Sequence, residues 1–173
     1  MNTYRSQKGI TLIEMMIAIV VLAILVTIGI PSFNTLIQNN RATAIANELV
    51  SATHLARSEA VRRGQAVTIC PSQNQSSCQN VDWSQGWIVV TQASGQVIRV
   101  WEAQPQQASF QHRVGNNLLG QNANKNITFE RLGNISSGDR VRLEVSVSGS
   151  AVNQERCLEI SVAGRVNVRR GGC

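Results

Sequence analysis

The chain has 173 residues, 43% of them hydrophobic and 15% charged, with a formal charge of +6 from 16 basic and 10 acidic residues. The composition is otherwise ordinary, with no low-complexity tract and no evident internal repeat. Beyond a strongly apolar N-terminal stretch it leaves about 110 to 130 residues, enough for one domain with a modest core. All the basic residues except Lys8 and Lys125 are arginines, whose planar fork of donors suits carboxylates and phosphates, although scattered arginines equally serve as solvated surface charge.

From Ile10 to Ile30 the sequence is apolar apart from one charge, Glu14. As a helix this stretch spans about 30 Å, the thickness of a bilayer core. Arg5 and Lys8 precede it, which places the N-terminus in the cytoplasm and the rest of the chain across the membrane. A cleaved secretory signal has a shorter apolar region followed by an A-x-A-like site, whereas here Pro31-Ser32-Phe33 follows. A plain single-span anchor leaves Glu14 unexplained, because a carboxylate in hydrocarbon costs about 2 to 3 kcal/mol unless it is partnered or snorkels to the interface.

Gly9 followed by Ile-Thr-Leu-Ile-Glu resembles the processing site of type IV prepilins and type II secretion pseudopilins. The resemblance implies a leader, Met1–Gly9, cut off after Gly9 by a prepilin peptidase, and N-methylation of the new N-terminus, Ile10. Many members have phenylalanine at that position. It further implies that Glu14 meets the freed amine of a neighbouring subunit, which offsets the cost of carrying the acid in lipid and favours entry into a filament in correct register.

Pro31 predicts a kink rather than an end to the helix. Ile45, Leu49, Ala52 and Ala56, with Leu55 beside them, form one apolar stripe at spacings of three and four. Arg62 and Arg63 suit the last turn and Gly64 a stop. The helical spine from Ile10 to Arg63 is thus about 80 Å long, its first half in lipid or filament core and its second half, 31–64, on a sheet.

After Gly64 the period changes to that of strands: 66–70, 86–92, a hairpin into 96–102, then 126–130, 140–147 and 157–162. The Gln- and Asn-rich stretch 104–125 reads as a long exposed connection. Asn74, Asn126 and Asn134 match the glycosylation acceptor pattern, which alongside a bacterial-type leader is a chance match. His54 and His112 are isolated and read as surface or core residues. No nucleophile–base set, metal-ligand motif or phosphate-cradling loop appears, so neither enzyme nor cofactor is expected.

The four cysteines suggest an oxidising compartment. Three pairings are possible; the sequence-local one, Cys70–Cys78 with Cys157–Cys173, requires only short loops. A zinc site is the rival reading, but the spacings form no C-x-x-C pair and no histidine is near.

The phrase "ARSEAVRRGQAVTIC" and the run "DWSQGWIVV", with Trp83, Gly86 and Trp87, are similar to the GspH/FimT group of pseudopilins and minor pilins. That resemblance implies an α+β, pilin-like fold: a long N-terminal helix packed on an antiparallel β-sheet domain covering 65–173. It implies a minor pilin in a type IV pilus, with other minor and major pilins as partners. The subunit would wait in the inner membrane before assembly with its globular domain in the periplasm. A pseudopilin of type II secretion is the alternative. Trp83 and Trp87 read as core and turn packing.

Cys157 to Cys173 encloses a third informative stretch. If it is extended, Arg165, Asn167 and Arg169 share one face while Val166 and Val168 take the other, with Arg170 following them. Some FimT-branch members bind DNA through a Gly-Arg-x-Arg tail. Gly164-Arg165-Val166 fits its start, Asn167 departs from it, and Arg169 and Arg170 are the substitutes. The DNA reading predicts sequence-blind, salt-sensitive contact with double-stranded DNA; the plain reading is a basic strand against other subunits.

Overall fold

The computed structural model describes residues 9–104, 107–120, 123–148 and 154–173, and of Pro31 the backbone alone. The expected leader, Arg5 and Lys8 included, therefore lies outside the described residues apart from Gly9.

One helix, α1, runs from Leu12 to Arg63. At 1.5 Å per residue its 52 residues measure about 78 Å, and its helical assignment continues through position 31. It stops at Gly64, whose left-handed φ of 64° lets its own N–H return to Ala60 and Val61. Arg62 and Arg63 both donate to Glu59, at 2.6 Å each, and hold its carboxyl below the usual range.

Nine strands follow among the described residues. The first sheet contains β1 (Val67–Pro71), β2 (Trp87–Thr91), β3 (Val97–Trp101) and β6 (Ile127–Phe129), in the order β3-β2-β1-β6. The second contains β4 (Ala108–Val114), β5 (Asn117–Leu118), β7 (Val141–Val147), β8 (Arg156–Ile160) and β9 (Val166–Arg170), in the order β5-β4-β7-β8-β9. All pairings are antiparallel. The domain is thus built on two sheets where the sequence reading placed one, and α1 touches strands of both.

The helix does this with small residues. Ala42, Ile45, Ala46, Leu49, Ala52, Ala56 and Ala60 are buried, five of the seven being alanines, so the backbone of α1 approaches the strands closely. Against them lie Val67, Ile69, Trp87, Val89 and Phe129 of the first sheet and Val141, Leu143, Val145, Leu158 and Ile160 of the second. The alternating burial of β7 is the period-two pattern of a strand with one face in the core.

The stretch read as an exposed connection contains β4, a seven-residue strand paired along its whole length with β7. Its inward positions are Ala108, Phe110, His112 and Val114, opposite Val147, Val145, Leu143 and Val141. A histidine and an alanine among four inward positions, with Gln111 and Arg113 facing out, conceal the alternation.

His112 is 3% exposed, with its ring 5.9 Å from that of Trp83. Neither of its ring nitrogens, nor the Nε1 of Trp83 or Trp87, has a hydrogen-bond partner among the described residues. Burial, reinforced by the nearby Lys125 ammonium, lowers the His112 pKa to about 4. The native protein therefore excludes a proton that the unfolded chain binds below its ordinary value of 6.5. Stability is intact above that value and falls as the pH drops toward 4, by about 3 kcal/mol from this residue at the end of the window. Denaturant titrations across this range should show the decline, and His112→Leu should flatten it; an unchanged slope in the variant would contradict the assignment.

Candidate functional site: the assembly helix and the cationic strand

The first turns of α1 carry the only acid of the apolar run. Thr11 caps the helix, its Oγ1 accepting from the backbone N–H of Glu14 at 3.3 Å. Thr11 and Glu14 thus occupy the N-cap and N3 positions of a T-x-x-E start signal, where a carboxylate also complements the helix dipole. The sequence reading missed Thr11, although this spacing was the available cue. Gly9 and Ile10 precede the cap, and Ile10 is 70% exposed.

Every large apolar side chain from Ile10 to Ile30 is exposed, and so are Phe33, Leu36 and Ile37. Burial against the sheets begins at Ala42. The uncovered apolar surface therefore runs about 40 Å along the helix, longer than the roughly 30 Å of a bilayer core, and the packed half begins later than position 31. The segment is long and apolar enough to cross a membrane, with a mean hydropathy of 2.8 in its richest window.

The other end of α1 is fastened to the domain by arginines. Arg57 donates from Nε to the Gly133 carbonyl at 3.0 Å and from its terminal nitrogen to the Ala163 carbonyl at 3.1 Å. Arg156, 7% exposed, reaches Thr43 Oγ1 at 3.0 Å and also the carbonyls of Gln154 and Glu155. The Arg57 of the "ARSEA" phrase is therefore a clamp between the helix and two loops.

Gly164, the start of the tail motif, is part of that clamp. It sits in the β8–β9 turn at φ 74°, its N–H bonded to the Ser161 carbonyl at 2.7 Å, and a Cβ there would overlap the carbonyl oxygen of Gly133. The turn and the close approach together account for the glycine.

β9 forms an edge of the second sheet, paired among the described residues only with β8. Arg165, Asn167, Arg169 and Arg170 are all exposed. The register sets Asn167 opposite Glu159 and Arg169 opposite Cys157, on the face away from α1, whereas Arg170 lies opposite Arg156 on the other face. Arg165 shares the outer face by alternation. The three arginines therefore do not form one surface.

Nor is the stretch loose. Cys157 is bonded to Cys173 and Cys70 to Cys78. The Cys173 N–H donates to Glu144 at 2.7 Å and its carbonyl accepts from Arg142 at 3.0 Å. Glu144 and Glu159, the latter 3.9 Å from Arg140, bring two acids to the outer face beside the tail. Among the described residues no group of His, Cys, Asp and Glu could hold a metal ion.

Known proteins fit this geometry. Residues 46–164 match the model of the family described as type II transport protein GspH, and residues 4–30 match that of the prokaryotic N-terminal methylation motif. Crystal structures of the type IV minor pilin FimU of Pseudomonas aeruginosa strain PAO1 share the fold. In one crystal form the TM-score is 0.58 and the identity 22%, over 75% of this chain and 89% of that one. In a second form the TM-score is 0.55, at 22% identity over 73% and 91%. The minor pseudopilin EpsH of the type II secretion system of Vibrio cholerae gives a TM-score of 0.52 at 10% identity, over 77% of this chain and 98% of that one. No curated protein sequence matches. The fold is the pilin-like one that these structures share.

Two substitutions test the clamp. Gly164→Ala should destabilise the protein by about 2 kcal/mol or more, through the left-handed backbone and the overlap with Gly133. Arg57→Ala should cost about 1 to 3 kcal/mol through two lost bonds from a charged donor. Thermal unfolding followed by circular dichroism reads both, and wild-type stability in Gly164→Ala would refute the packing role given to the glycine.

Proposed function

The chain belongs to the GspH family, and on that premise we propose that it is a minor pilin of a type IV pilus, inserted by its apolar helix among other pilin subunits. The observation that carries this reading is the pairing of a folded domain with some 40 Å of uncovered apolar helix that bears a single carboxylate in its first turn. Hydrocarbon accepts such a helix before assembly, and neighbouring helices accept it afterwards.

Glu14 supplies the selectivity. Cleavage after Gly9 by a prepilin peptidase leaves Ile10 as the first residue, with a positive amine next to the Thr11 cap. That amine sits at the positive end of its own helix dipole, an unfavourable place for a cation. The Glu14 carboxylate of an adjacent subunit satisfies it and is itself satisfied, which removes a penalty of about 2.5 to 3.5 kcal/mol for a lone acid in hydrocarbon. Methylation of the amine preserves its charge. Before assembly the subunit spans the inner membrane, N-terminus in the cytoplasm and domain in the periplasm.

Glu14→Ala should leave membrane insertion intact and remove the subunit from sheared pili, with Glu14→Gln behaving like Glu14→Ala because the charge is lost with the shape kept. Variant protein in the filament fraction at the wild-type level would defeat the proposal, as would mature protein whose mass still includes Met1–Gly9. Recovery of the subunit with secretion pseudopilins in place of pilins would assign it to the type II machine.

A second reading, DNA capture, is supported by the exposure of Arg165, Asn167 and Arg169 along an unpaired strand edge. It requires guanidinium contacts to phosphates in spite of Glu159 and Glu144 beside them. The chain in neutral detergent should then retard duplex DNA with an affinity falling steeply with salt, and Arg165→Gln with Arg169→Gln should abolish the shift. No retardation at low salt would eliminate this reading.

A further inference from the structure

The first sheet has a second face, turned away from α1. Val67, Ile69 and Val89 point toward the helix, so Thr68 and Val90, with Thr128 opposite Thr68, point outward. Above them is an open cleft of about 530 Å³. Val90, Val114 and Cys78 line it together with the two threonines, whose hydroxyls share a hydrogen bond of 2.9 Å.

One wall is the loop closed by the Cys70–Cys78 disulfide. That loop is internally braced. Asn74 Oδ1 accepts from the N–H groups of Ser76 and Ser77 at 3.1 Å each, and Gln79 Oε1 accepts from those of Gln73 at 2.8 Å and Asn74 at 3.2 Å. The wall is therefore in place before any ligand arrives. The other walls come from the β2–β3 turn at Gln92, from Asn126, and from Ser136.

Among the described residues the lining contains no charged and no aromatic one. Four of its side chains, those of Ser76, Gln92, Asn126 and Ser136, are exposed and make no hydrogen bond to any described residue. Each can both donate and accept. Four uncommitted neutral groups of this kind beside the apolar side chains of Val90 and Val114 match a ligand whose hydroxyls donate and accept in turn while its C–H faces are apolar.

We propose that this cleft binds a neutral saccharide of one to two sugar units. The volume lies within the ordinary range for small-molecule sites. A phosphate, nucleic acid or charged peptide would find no counter-charge. An extended peptide is bound through the main chain at a sheet edge, and the free edge of β6 is already covered: Ile135 bridges Phe129, and the Ser136 N–H donates to the Thr128 carbonyl at 2.9 Å. Without an aromatic platform the affinity is on the order of 1 mM. The site is independent of Glu14 and of the tail, so it stands whichever filament the subunit enters.

The test is a nuclear magnetic resonance titration of the isotope-labelled full chain in zwitterionic detergent micelles, with lactose, maltose and N,N′-diacetylchitobiose. At least one should give saturable amide shifts confined to the neighbourhood of Thr68, Gln92, Asn126 and Ser136. The double substitution Gln92→Ala with Asn126→Ala should weaken that binding tenfold or more and leave the rest of the spectrum unchanged, since both side chains are exposed and unbonded. Glucuronic acid should bind more weakly than its neutral counterparts. Absence of saturable shifts with all three neutral sugars, shifts located elsewhere, or undiminished binding by the double variant would overturn the proposal.

Discussion

Everything in this molecule depends on one rod that must satisfy two solvents. α1 is a single helix of 52 residues, yet its two halves face opposite demands. From Ala42 onward it is held by both sheets through a stripe dominated by alanine. Before that point its apolar side chains are uncovered. In water this surface would drive aggregation. In a bilayer or among other helices it is satisfied, so the fold is complete only in company.

The alanine stripe explains why one helix can serve two sheets. Larger side chains would hold the backbone off the strands and leave gaps at the seam between the sheets, where packing density decides stability. At the seam, arginines take over. Arg57 spans to the loops carrying Gly133 and Ala163, while Arg156 reaches back from β8 to Thr43. The Arg57 bonds go to backbone carbonyls and the Arg156 bond to a threonine hydroxyl, so they fix the position of the helix without burying an ion pair. Burial and the neighbouring Arg170 lower the Arg156 pKa, in keeping with a cation that bonds to the carbonyls of Gln154 and Glu155.

The two faces of the domain away from the helix differ in character. That of the second sheet is charged, with arginines and acids interleaved across β7, β8 and β9 and the strand end tied down by Cys157–Cys173. That of the first sheet is neutral and roofed by the other disulfide loop. Each disulfide thus shapes a surface, and neither lies in the main core.

The amino-acid sequence alone determined the long helix, its stop at Gly64, the isolated acid near its start and most of the strands, because each of these is written in local periodicity or in residues with local conformational meaning. Trp83 and Trp87 were legible as core for the same reason. β4 was not, because His112 is polar as a free residue and becomes an inward one only when β7 and Trp83 enclose it. The packing role of Gly164 was not legible for a related reason: its neighbour Arg165 suggested a binding motif, whereas the close approach that requires glycine is to Gly133, 31 positions away in the chain. The split into two sheets, the separation of Arg170 from Arg165 and Arg169, and the cleft over Thr68 and Thr128 were likewise decided by tertiary structure. Each rests on which strands meet across the chain, and strand register is set by global packing, which no local pattern encodes.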